Sequence, residues 1–185
     1  MKDLFVVDNS DENWKALEYL RQWCELSSTI DIATGYFEVS ALLALDGEWQ
    51  KVDKIRILVG AEGNIQTQIA IDRALSSLED STQTLRFNDP LLSGLEAIVD
   101  AMKSGQIEVK MYTKRKFHAK TYITHARLAV VGSAALVGSS NFTKSGLTRN
   151  IELNVKLGGA DVKELQDWFE QYWNEADPMG AEALQ

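Results

Sequence analysis

The sequence predicts an α/β domain with a mixed central β-sheet flanked by helices on both faces. Three observations predict it. Strand-like and helix-like periods alternate as far as Lys103; several strands then cluster between Ile107 and Leu157; a last amphipathic helix follows. A chain of 185 residues suits one domain, and 45% apolar residues with five Trp supply its core.

Taken in order, Ser10–Glu25 reads as a helix, with Asn9 or Ser10 as its cap and Trp14, Leu17, Leu20 and Cys24 recurring at helical spacing. Thr29–Tyr36 is a predicted strand running into a glycine turn, and Val39–Trp49 a second helix. Lys54–Gly60 is β-branched and ends in glycine, the mark of a strand. Gln66–Leu78 and Pro90–Lys103 read as helices, the second opened by its proline. Strands are predicted at Ile107–Tyr112, Ala119–Thr124, Leu128–Gly132, Ala135–Ser139 and Ile151–Leu157, and the final helix at Asp161–Trp173. The domain is placed at residues 1–175, with 176–185, small and acidic, as a tail or the start of a linker.

A single Cys excludes a disulfide framework and a cysteine zinc site, and two His exclude a histidine-rich metal cage. The N-terminus lacks the basic start and apolar core of a secretion signal. The most apolar stretch, Ala126–Gly138, contains Arg127 and is too short and too polar to span a bilayer. A cytoplasmic protein without membrane association is expected.

The formal net charge is −8, with 19 basic and 27 acidic residues. Yet Lys110–Asn150 holds 8 of those basic residues and no acidic one. A local basic segment in an acidic chain points to a focused anion site. Lys114–Lys116 within it reads equally well as a solvated loop.

That segment leads into three short motifs: His118-Ala119-Lys120, Gly138-Ser139-Ser140-Asn141 and Asn150-Ile151-Glu152. Residues two apart on a strand share a face, so His118 and Lys120 should point the same way. An imidazole can attack phosphorus, while an ammonium and a carboxamide hold the equatorial oxygens. A carboxylate can fix the imidazole tautomer and support its developing charge.

In order and together, these residues resemble the phospholipase D superfamily, whose signature is H-x-K-x-x-x-x-D followed by G-S-x-N. The flanking run Asn141–Val155 (NFTKSGLTRNIELNV) is similar to bacterial members, and DIATGYF and KIRILVG are compatible with core strands of that fold. Two departures stand out. The signature acid falls at His125, and Gly138 lies farther from the His-Lys pair than is usual. His125 reads as a surface histidine in a strand-to-strand turn in preference to a substitute polar group.

The resemblance implies catalytic His118, Lys120, Asn141 and Glu152, with phosphate held by Lys120, Ser139 and Asn141 and no cofactor or metal. It implies two His-Lys halves. One chain supplies one half, so a homodimer pairing two His118 is expected. The first function expected is a metal-independent phosphodiesterase, a nuclease acting on DNA through a phosphohistidine. The alternative is a weak or inactive nucleic-acid-binding module of a larger helicase or restriction protein. A phospholipid hydrolase ranks third, since no basic amphipathic helix is present. Among other features, Cys24 and the stripe Trp168, Phe169, Tyr172 and Trp173 read as packing, the stripe alternatively as a dimer seam. The carboxylates Asp31, Glu38, Asp46 and Asp53 show no metal-pair spacing.

Overall fold

The computed structural model describes residues 5–11, 15–61 and 90–179. The helix predicted at Gln66–Leu78 and the side chain of Trp14 lie outside them. Among the described residues eight strands form one mixed sheet: β1 (Val6–Val7), β2 (Ser27–Thr34), β3 (Lys54–Gly60), β4 (Ile107–Tyr112), β5 (Thr121–Ala126), β6 (Ala134–Gly138), β7 (Asn154–Gly158) and β8 (Asp177–Met179). Their spatial order is β1-β7-β6-β5-β2-β3-β4-β8. β2, β3 and β4 run parallel, whereas β5, β6 and β7 pair antiparallel, so the two halves meet at the β2–β5 seam.

The central strands are apolar on both faces, as a sheet covered on both sides requires. One face carries α1 (Ala16–Leu26), α2 (Val39–Ala44), α3 (Pro90–Lys103) and α4 (Lys144–Thr148). There Leu17, Leu20, Trp23, Leu42 and Ile98 pack against Ile30, Ile32, Ile57 and Tyr122. On the other face α5 (Ala160–Glu175) lays Val162, Phe169 and Trp173 against Ala33, Leu58, Ile123 and Ala135. The aromatic stripe of α5 is therefore packing. Trp168 and Tyr172 extend it, with ring centroids 6.1 and 6.0 Å from that of Phe117. Cys24 is buried in the first core, where desolvation pushes its thiol up to about 12, out of nucleophilic range.

Several predicted elements move. Leu128–Gly132 is not a strand but the turn joining β5 to antiparallel β6, with Val130 91% exposed. A chain reversal was needed there, and Ser133 Oγ accepts from Ala126 N to close it. The helix expected to Trp49 ends at Ala44 and is followed by turns and a 3₁₀ turn at Trp49–Lys51. The strand expected from Ile151 starts at Asn154, because Ile151–Leu153 are held irregularly. α1 starts at Ala16, whose N–H donates to the predicted cap residue Asn9 at 2.8 Å. Strands β1 and β8 and helix α4 were not foreseen. Asp177–Met179, assigned to the tail, pair with β4 and extend the sheet. Among the described residues no helix is long and apolar enough to cross a membrane.

Candidate active site

The site lies where the parallel strands β2 and β3 end and β5 begins, the crevice position that open α/β sheets use for ligands. His118, Ala119 and Lys120 sit in the segment just before β5, which begins at Thr121, two residues later than predicted. His118 is exposed; Lys120 is 9% exposed. The Lys120 ammonium lies 3.2 Å from each ring nitrogen of His118 and donates to the His118 carbonyl at 3.2 Å. Burial lowers the Lys120 pKa, and the nearby Glu152 charge partly restores it.

Glycine at position 35 is what lets His118 sit there. A Cβ on Gly35 would come 2.9 Å from His118 Cδ2, and one on Gly60 would come 2.4 Å from the Phe117 carbonyl. The ends of β2 and β3 thus press backbone to backbone on the segment that carries the imidazole.

Asn141 follows β6. Its Oδ1 accepts from the Tyr36 N–H at 3.1 Å and lies 3.4 Å from Thr34 Oγ1. A backbone N–H can only donate, so this contact fixes which end of the amide faces inward. The NH₂ end is left without a protein partner among the described residues, a donor ready for an oxygen. Gly35 touches His118 and its neighbour Tyr36 binds Asn141, so consecutive residues of one turn gather both groups. The turn is held from below by the Phe37–Phe142 bridge, whose rings stack at 5.6 Å, and by Tyr122, whose hydroxyl donates to the Ser140 carbonyl at 2.9 Å. Burial raises the Tyr122 pKa, which keeps it a donor.

Ser139 Oγ donates to Glu152 Oε2 and accepts from Leu153 N at 3.0 Å. Glu152 also accepts from Asn150 Nδ2 at 3.1 Å. Among the described residues Glu152 is therefore tied to Ser139 and Asn150, not to His118, and it reaches Lys120 through its charge. Of the basic loop, Lys114 pairs with Glu175 at 3.3 Å, and Lys114, Arg115 and Lys116 are all exposed. No three His, Cys, Asp or Glu among the described residues are grouped to hold a metal ion.

His125 is not in a turn. It lies within β5, 31% exposed, and its Nε2 is 2.5 Å from Oδ2 of Asp31, which is fully buried. Arg56 grips the same carboxylate with two bonds, Nε to Oδ1 at 2.6 Å and Nη2 to Oδ2 at 2.8 Å. It also pairs with Glu170 at 2.7 Å and lies over the rings of Phe169 and Trp173, at 5.1 and 5.4 Å. Burial opposes the Arg56 charge, but the bonds to Asp31 and Glu170 outweigh it and raise the pKa. Sequence reasoning missed this cluster, as it missed Gly35, Tyr36 and Thr34.

A mixed-sheet α/β domain with a histidine-lysine pair and a presented amide at the strand ends defines a phosphodiester-handling class. The family described as "Cardiolipin synthase, PLD-like domain" matches residues 24–173, and the chain belongs to this phospholipase D-like superfamily of phosphodiesterases and nucleases. Nuc, a phospholipase D family member from Salmonella typhimurium, is similar in structure with a TM-score of 0.57 and 14% identity, over 94% of this chain and 95% of that one. NucT from Helicobacter pylori follows with a TM-score of 0.56 and 13% identity, over 94% and 96%. Polyphosphate kinase from Porphyromonas gingivalis shares the fold at a TM-score of 0.53 and 12% identity, over 91% of this chain but 22% of the kinase. At such identities the likeness is one of fold. No curated protein matches the chain by sequence.

Proposed function

We propose that the chain is a metal-independent phosphodiesterase that cleaves DNA at a site shared by two copies. The observation that carries this reading is the gathering of the His118 ring, the Lys120 ammonium and the free NH₂ of Asn141 around one turn. In the first step a His118 nitrogen attacks phosphorus, a P–N bond forms, the P–O bond breaks, and the other copy's His118 gives its proton to the leaving oxygen. In the second step that imidazole takes a proton from water, whose oxygen bonds to phosphorus as the P–N bond breaks and the attacking His118 is released. Lys120 and Asn141 hold the equatorial oxygens and Glu152 supports the imidazolium charge. Ser139, whose hydroxyl donates to Glu152, serves the phosphate indirectly by fixing that carboxylate.

Two observations support a paired site. One chain offers one attacking imidazole where the reaction uses two, and Ile151 and Leu153, 75% and 63% exposed, flank Glu152 as an apolar rim for a second copy. The acid-free stretch from Lys110 to Asn150, which includes the His118-Lys120 and Gly138–Asn141 motifs, suits a polyanion. A cytoplasmic setting and fusion to a helicase or other domain belong to this reading.

The test is DNA cleavage in EDTA by material of known oligomeric state. Wild type cuts and His118→Ala does not; a requirement for added divalent metal, or full activity in a strict monomer, sinks the proposal. The second reading, a DNA-binding module without turnover, is favoured by His125 at the signature acid's position. It requires salt-sensitive binding that survives His118→Ala alongside no wild-type cleavage.

A further inference from the structure

We infer that Asp31 is the acid of this half-site, carried on the neighbouring strand instead of at position 125, and that with Arg56 and His125 it forms a clamp that positions His118. The inference rests on the phosphodiesterase reading above for its effect on turnover.

The geometry begins with three strands. Asp31 is on β2, Arg56 on β3 and His125 on β5, and Asp31 lies opposite Arg56 in the parallel register. Gly35 lies four positions beyond Asp31, and Gly60 four positions beyond Arg56. Those two glycines are the contacts that seat His118 and Phe117. His125 lies five positions beyond Lys120 on the strand that the His-Lys pair enters. The cluster therefore ties together the three strands whose near ends build the site, and a slip of any one displaces the imidazole or its lysine.

The chemistry is matched. A fully buried carboxylate needs its lone pairs occupied and its charge balanced. Asp31 receives two bonds from Arg56 and one from His125. An aspartate at 125, shorter than histidine, would instead take away this donor and turn a second carboxylate toward buried Asp31. Histidine at 125 and aspartate at 31 thus belong together, and the departure at 125 is one half of a two-residue arrangement.

The experiment compares wild type, Asp31→Asn, His125→Asp and the double variant Asp31→Asn/His125→Asp. The double variant returns the acid to 125 and leaves at 31 an amide whose oxygen accepts from Arg56 Nε; its NH₂ takes the place of Oδ2, giving up the Arg56 Nη2 bond and turning a donor toward the new carboxylate. Three quantities are read: Tm, the imidazole NMR signal of His118, and kcat and KM on bis(p-nitrophenyl) phosphate in EDTA. The chain has two histidines, so His118 is the sole imidazole in both His125→Asp variants. Each single variant is expected to lose roughly 10 °C in Tm. Each should shift the His118 signal and lose about 10-fold in kcat with KM little changed. The double variant, which keeps one of the two Arg56 bonds, should recover part of all three. A His125→Asp protein that fails to fold while the double variant folds supports the clamp. A double variant no better than the worse single, or a His118 signal unmoved throughout, overturns it. If wild type does not turn over the substrate, the phosphodiesterase reading fails alone, and Tm with the His118 signal still decides the clamp.

Discussion

The Lys120 ammonium stands 3.2 Å from both nitrogens of the His118 ring. An ammonium equally far from both nitrogens lies over the face of the ring, off the in-plane lone pair of either, so the contact favours neither tautomer of His118. An arriving phosphate oxygen can draw the ammonium across without a tautomer change.

Replacing Lys120 by Met separates its two roles. Loss of the cation should lower EDTA-resistant cleavage by about 10²–10³-fold. Stability should move the other way. The Lys120 pKa is lowered from its ordinary 10.5, so the unfolded chain holds the proton more tightly than the native one. The cost is complete below the lowered value and fades as pH rises toward 10.5. Paired Tm measurements should show Lys120→Met ahead of wild type near neutrality by a margin that shrinks in alkaline buffer.

Asn141→Asp keeps the acceptor that Tyr36 N–H uses but removes the donor end and adds a charge. Its Tm should stay within a few degrees of wild type. Cleavage should fall at least about 10²-fold, with KM raised by repulsion of the phosphate. Steady-state kinetics on a small phosphodiester, with unfolding curves alongside, provide the check; wild-type kinetics would remove Asn141 from the site.

Gly35→Ala puts a methyl 2.9 Å from His118 Cδ2. His118 is exposed and can rotate away, so folding should tolerate the change. The imidazole would leave its position, and kcat should fall about 10²-fold, as misplacement by an ångström can cost. Unchanged kcat would show that the seat is unnecessary.

Ser139 and Glu152 should behave as one unit. Ser139→Ala and Glu152→Ala each remove the bond between them, so the double variant should be little worse than Glu152→Ala in cleavage rate. Full additivity in the cycle would mean that Ser139 acts on the phosphate directly.

Leu153→Lys places a charge on the apolar rim beside Glu152. Light scattering should show a loss of dimer, and cleavage should fall in parallel and recover with protein concentration. Retention of the dimer would move the seam elsewhere.

The fold class was legible because strand and helix periods are local signals, and the β-branched run at Lys54–Gly60 appears as read. The four groups proposed for chemistry were legible from short motifs. The apolar run Leu128–Gly132 misled because β-branched residues signal a strand whether or not the chain must reverse there. Asp31 could not be assigned, since its partners lie 25 and 94 residues away and its burial is set by the whole sheet. Tyr36 escaped for a related reason: it acts through its backbone N–H, which carries no residue-type signal.

The stacked pair of Phe37 and Phe142 welds the turn leaving β2 to the second motif, 105 residues later. Anyone transplanting this chemistry onto another scaffold would therefore have to carry Thr34–Phe37 along with the histidine-bearing block. A graft of the motifs alone would arrive with its amide unaimed and its imidazole without a seat.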